Sequence, residues 1–136
     1  MNYVLWGKLN IAIMTNSFYK LFFKNLFGIK GRANRQEYIV RFLLMPFLGY
    51  ITNTVADAYQ STGNLLIGLL MMVLCPVFIL SIIQVFFVTH RRLHDLNTSG
   101  WWQLITFVPC GQLLMIGLIF YKGTPGSNKY GEPPID

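Results

Sequence analysis

The chain alternates long apolar stretches with short polar islands. Residues 64–89 contain no charged side chain, and neither do residues 101–121. A helix needs about 20 apolar residues to cross a hydrocarbon core, and both stretches reach that length. In lipid the backbone must satisfy its own hydrogen bonds, so each stretch is expected to be helical. The first is longer than the core requires and should tilt or project. A third stretch, residues 38–56, is interrupted by Arg41 and by the polar run Thr52, Asn53 and Thr54. Arg41 lies near one end, where a long side chain can reach the headgroups, so this stretch also reads as a span. Pro76 and Pro109 fall mid-segment and should kink their helices. The linker 57–63 is short, which makes the first two spans a hairpin.

Residues 16–28 follow a different pattern. Phe18, Tyr19, Phe22, Phe23, Leu26 and Phe27 recur at helical spacing, while Lys20 and Lys24 lie on another face. Asn16 or Ser17 can cap the start, and Gly28 can end it. An aromatic face beside lysines is the pattern of a helix lying in the membrane interface; packing against the bundle is the alternative. The expected fold is an all-α integral membrane protein: a small bundle of about three transmembrane helices, preceded by an N-terminal amphipathic interfacial helix. Residues 1–136 would form one membrane domain ending in a turn-rich tail at 122–136.

Composition supports lipid as the solvent. Charged residues make up 12% of the 136 positions and hydrophobic ones 54%, where soluble domains carry about 25% charged residues. The net charge of +6 would suit nucleic acid or an anionic surface. The basic residues flank apolar stretches, so anionic lipid is the expected partner and nucleic acid is not. Cys75 and Cys110 both fall inside apolar runs and read as small buried apolar residues. No small-residue cleavage site follows an apolar core near the start, so uncleaved spans are expected to direct insertion.

Lys20, Lys24, Lys30, Arg32 and Arg35 precede the first span, and Arg91 and Arg92 follow the second, while residues 57–63 hold no basic residue. The positive-inside rule puts the N-terminal segment and the Arg91 loop in the cytoplasm. Three full spans would leave the C-terminus outside. The run Pro109-Cys110-Gly111 opens a second reading. A break there would make the last segment a re-entrant hairpin and return the tail to the cytoplasm.

The polar islands read Gly31-Arg32-Ala33-Asn34-Arg35-Gln36-Glu37-Tyr38, then Arg91-Arg92-Leu93-His94-Asp95, then Ser99-Gly100-Trp101-Trp102. The tail adds Gly123-Thr124-Pro125-Gly126-Ser127-Asn128-Lys129-Tyr130-Gly131-Glu132-Pro133. This ordered series resembles the DUF805 family of small bacterial inner-membrane proteins, over roughly residues 17–133. The resemblance implies a multi-span helical protein of the inner membrane and no catalytic residue. Family chains often carry Trp after the Glu-Tyr pair, where this chain has Ile39. They also tend to begin shortly before the first basic motif, which makes residues 1–13 an apparent extension.

His90 and His94 are spaced i, i+4 and could hold zinc if Asp95 joined them. The glutamate base of a zinc hydrolase is missing, so no metal, cofactor or catalytic residue is assigned. Charge at a membrane boundary needs partners. Arg32, Arg35, Glu37, Arg91, Arg92, His94 and Asp95 are therefore expected to form one cytoplasmic polar cluster, with Asp95 on Arg91 or Arg92. An arginine fork suits carboxylate or phosphate equally, so a leftover arginine would meet a lipid headgroup or a partner. In the tail, Gly123, Thr124, Gly126, Asn128 and Gly131 spell turn chemistry. A folded-back turn docked on the bundle is expected, with an anion nest as the alternative. Trp101, Trp102 and Tyr121 would be interfacial anchors.

Three functions remain. The first is a non-enzymatic accessory or interaction component, contacting anionic lipid and a protein partner or a second copy of itself. The second is a subunit of an oligomeric transporter or channel, although no span carries Asp, Glu, Lys or His at its middle. The third is a membrane enzyme using His94 and Asp95, without a nucleophile beside them.

Overall fold

The computed structural model describes residues 27–134. The expected interfacial helix at 16–28 and the extension at 1–13 lie almost wholly outside them. Among the described residues the protein is helical. Helix α1 spans Arg35–Thr62, α2 spans Leu65–Asp95, a 3-10 helix spans Gly100–Phe107, and α3 spans Gln112–Phe120.

Local chemistry sets these boundaries. The Asn34 side chain accepts from the Glu37 N–H at 2.7 Å and starts α1. Gly63 ends it in the left-handed region at φ 60°, its N–H bonded to the Tyr59 carbonyl, a geometry that costs glycine little. Asn64 then caps α2 by accepting from the Leu66 N–H. The expected linker 57–63 is thus mostly helix, and the turn between α1 and α2 is Gly63-Asn64. The two helices pack along each other as an antiparallel pair.

Both long helices are apolar enough to cross a membrane. At 1.5 Å per residue, the 28 residues of α1 and 31 of α2 reach about 42 and 46 Å, against a hydrocarbon core of about 30 Å. Their outer faces carry exposed Leu43, Phe47, Leu65, Leu66, Leu69, Met72 and Val73. The small core, built on Ala33, Tyr38, Val88, Leu93 and Leu118, sits at the opposite end from the Gly63 turn. The largest fully buried side chains include Arg41, Arg91 and Arg92. Leucines outside and arginines inside invert the order that water imposes and fit a lipid surround.

The third apolar segment is not one continuous helix, and it shows the break at Pro109 that the re-entrant alternative requires. Val108 adopts φ −89°, ψ 144°, the extended conformation that a following proline enforces. Cys110 turns the chain at φ +67°, and α3 starts again at Gln112. The 3-10 arm of eight residues reaches about 16 Å at 2.0 Å per residue. The nine-residue α3 reaches about 14 Å. Neither arm is long enough alone. Both open ends of this hairpin lie at the core end of the pair: Gly100 abuts the His90 ring, and the Tyr121 carbonyl accepts from Arg92. Cys110 is exposed and Cys75 half-buried, which corrects their reading as buried residues.

Candidate functional site

The segment before α1, the end of α2 and the tail converge on one carboxylate. Asp95 accepts from Arg32 Nε through Oδ1 at 2.9 Å and from Arg92 Nη1 through Oδ2. The two arginines approach from different parts of the chain, Arg92 from one helical turn back and Arg32 from 63 positions earlier. The side chains of Arg32 and Arg92 are 1% exposed and that of Asp95 4%. Two buried guanidinium groups need more than one carboxylate, and the main chain supplies the rest. Arg92 donates to the carbonyls of Leu118, Ala33 and Tyr121. Arg32 donates to those of Thr124 and Gly126, both at 2.5 Å, and to Gly131 at 3.4 Å.

The tail is therefore a docked turn, as expected, and its carbonyl oxygens wrap a cation. The anion nest considered as the alternative would have presented N–H groups instead. Thr124 fixes the turn, donating from both its N–H and hydroxyl to the Asp95 carbonyl at 2.9 Å. Asn128 donates to the His94 carbonyl and to the Thr124 hydroxyl. Asn128 and Gly131 close the turn on each other, with Gly126 and Gly131 at positive φ. Gly123 runs so close that a Cβ there would overlap the Asp95 carboxylate. Each of the five tail residues singled out by sequence has a place in this wrap.

A second, smaller cluster lies one turn into α1. Glu37 Oε1 accepts from Arg91 at 2.6 Å and pairs with Arg41 at 3.0 Å. The Arg91 carbonyl accepts from the Ala33 N–H, so the chain before α1 is stitched to α2 by main chain as well as by side chains. Arg41 is 1% exposed. It is buried on Glu37 and does not reach outward to headgroups, which corrects that expectation. The i, i+4 spacing of Glu37 and Arg41 was the available signal. Arg91 pairs with Glu37, not with Asp95. Arg35, the remaining member of the expected cluster, is exposed and makes no ion pair among the described residues.

The histidines are structural partners here. His94 Nδ1 donates to the Gly31 carbonyl at 3.1 Å, and its ring stacks on Tyr130 with centroids 3.7 Å apart. His90 Nδ1 accepts from the Gln103 amide, and its ring meets His94 and Trp101 edge to face. Asp95, weighed as a third ligand beside them, has both oxygens on arginines. Tyr38 ties α1 to the hairpin, donating from its hydroxyl to the Met115 carbonyl at 2.8 Å. The role of Gln103 had no sequence signal, because it depends on the 3-10 arm lying against α2.

The model of the family described as "Protein of unknown function (DUF805)" matches residues 26–132. The inner membrane protein YhaI of Escherichia coli (strain K12) is 36% identical over 113 residues, covering 82% of this chain and 89% of the relative. The inner membrane protein YhaH of the same strain is 33% identical over 117 residues, covering 82% and 90%. No solved structure matches the chain.

Proposed function

The chain belongs to the DUF805 family, and from that membership and the geometry above we propose that it is a non-enzymatic accessory component of the bacterial inner membrane. In this reading α1 and α2 cross the bilayer as a hairpin, with the Gly63 turn outside. The segment 101–121 re-enters from the cytoplasmic face and returns to it. The N-terminal basic motif, the end of α2 and the tail then meet at the cytoplasmic headgroup layer, and this face contacts anionic lipid and a protein partner or second copy.

The observation that carries the reading is the Asp95 knot. It joins three polar islands far apart in sequence and gathers cations: among the described residues Arg32, Arg41, Arg91 and Arg92 are buried with ion pairs to Glu37 and Asp95. The carboxylates and carbonyls hold the arginines in place, so the cluster is built to be static. A reacting group would need a free acid, base or nucleophile, and Asp95 is fully engaged. The positive-inside rule assigns this face to the cytoplasm, where anionic lipids lie. Trp101, Trp102 and Tyr121 are exposed at 65%, 61% and 66%. In a re-entrant hairpin all three share one face and form a single interfacial belt.

Purification in mild detergent, followed by identification of bound lipid and protein, tests this reading. Retained anionic phospholipid or a stoichiometric protein partner is the expected result. A lipid-free monomer without partner would contradict it.

A further inference from the structure

We propose that the cleft between the start of α1 and the tail binds a phosphate group. The proposal rests on the reading that this end of the molecule lies at the cytoplasmic headgroup layer, and it assigns the site and the ligand chemistry there.

The cleft has a volume of about 220 Å³. That is below the roughly 300–1,000 Å³ of pockets for whole small molecules, and it suits one charged headgroup. Its basic side chains come from separate elements: Arg32, Arg35 and Arg92 from the α1 and α2 side, and Lys122 from the tail. Among the described residues the one carboxylate in the lining is Asp95, which Arg32 and Arg92 hold. Four described cations over one described acid give the opening a positive field.

The four cations have different tasks. Arg32 and Arg92 are buried and their N–H groups are committed to Asp95 and to carbonyls. They supply fixed charge and little else. Arg35 and Lys122 are exposed and make no ion pair among the described residues. Their donors are available, one a planar fork and the other a point charge, a pair suited to the oxygens of a phosphate. The cleft also opens at the N-terminal end of α1, beside Asn34, where the helix dipole adds positive potential. Phe120 and Tyr121, the two residues before Lys122, are 73% and 66% exposed, so an apolar surface for acyl chains adjoins the site. The cleft exists only while the tail is docked, so an occupant would clip the tail to α1.

Native mass spectrometry of the full chain in mild detergent tests the site. The probes are phosphatidylglycerol, phosphatidylcholine as the zwitterionic control, and inorganic phosphate as a soluble competitor. The wild-type chain is expected to prefer phosphatidylglycerol. R35Q/K122Q is expected to weaken that binding about thirtyfold, at about fivefold per surface cation, with its lipid-free melting temperature unchanged. R35K/K122R should bind as wild type, which separates loss of charge from loss of fold. Displacement by millimolar phosphate would identify a soluble phosphate as the occupant, and resistance to it a lipid headgroup; both support the assigned chemistry. Equal binding by R35Q/K122Q and wild type would overturn the site while leaving lipid contact elsewhere intact. No preference for phosphatidylglycerol over phosphatidylcholine in the wild type, with no phosphate binding either, would overturn both the site and the lipid contact beneath it.

Discussion

Asp95 is where the energetics of single residues are most exposed. It faces two guanidinium groups, and with its side chain only 4% exposed no water can stand in for it. Removing one partner of a buried pair costs about 3–5 kcal/mol, because the remaining charge is stranded. Asp95→Asn should therefore lose most of the folded yield and lower the melting temperature in detergent more than Glu37→Gln, since Glu37 is 14% exposed and water can reach it. Equal losses in the two variants would show that Asp95 is not the centre of the cluster. Arg32, Arg35, Glu37, Arg91, Arg92, His94 and Asp95 are expected in one cluster because unpaired charge beside lipid is costly; the ion pairs divide between Asp95 and Glu37, and Arg35 joins neither. The partner assignments were not legible. Whether Asp95 takes Arg91 or Arg32 depends on how α2 is rotated against the segment before α1, and sequence spacing does not encode that rotation.

At the scale of elements, the hairpin at 100–120 turns on a few atoms. A Cβ at Gly111 would overlap the Ile105 carbonyl, whereas a Cβ at Gly117 would meet only the Tyr121 ring at an ordinary 3.7 Å. Gly111→Ala should destabilise the protein by about 1–3 kcal/mol, the usual range for overpacking, and Gly117→Ala by much less, as measured by unfolding in detergent. Indistinguishable midpoints would argue against the tight turn. The break itself was visible as Pro109-Cys110-Gly111, and Val108 takes the extended backbone that precedes a proline. Apolar length alone favoured a full crossing, since 21 uncharged residues satisfy it. The contacts that hold the hairpin are long-range: Arg92 holds the Tyr121 carbonyl and Tyr38 the Met115 carbonyl. Both ends of α1 and the C-terminal end of α2 lie beyond the expected segments 38–56 and 64–89. Capping by Asn34 and Gly63 extends α1 through polar residues that a span definition excludes, and α2 runs on through its paired arginines to Asp95.

For the whole molecule, the inversion of polarity explains why the fold class could be read from composition. A lipid-facing surface of leucines leaves the chain with few charges, and the buried arginines collect where Asp95, Glu37 and main-chain carbonyls hold them. The proposed topology rests on the hairpin. Had residues 101–121 crossed, the tail would lie on the far side of the membrane from Arg32, and its carbonyls could not wrap that side chain. Arg32 bonded to Thr124 and Gly126 therefore requires the tail and the first basic motif to share a face. Reporter fusions at the C-terminus measure this directly. A fluorescent C-terminal GFP fusion and an inactive C-terminal alkaline phosphatase fusion are expected, both marking a cytoplasmic tail. An active phosphatase with a dark GFP would put the tail outside and contradict the knot on which the rest depends.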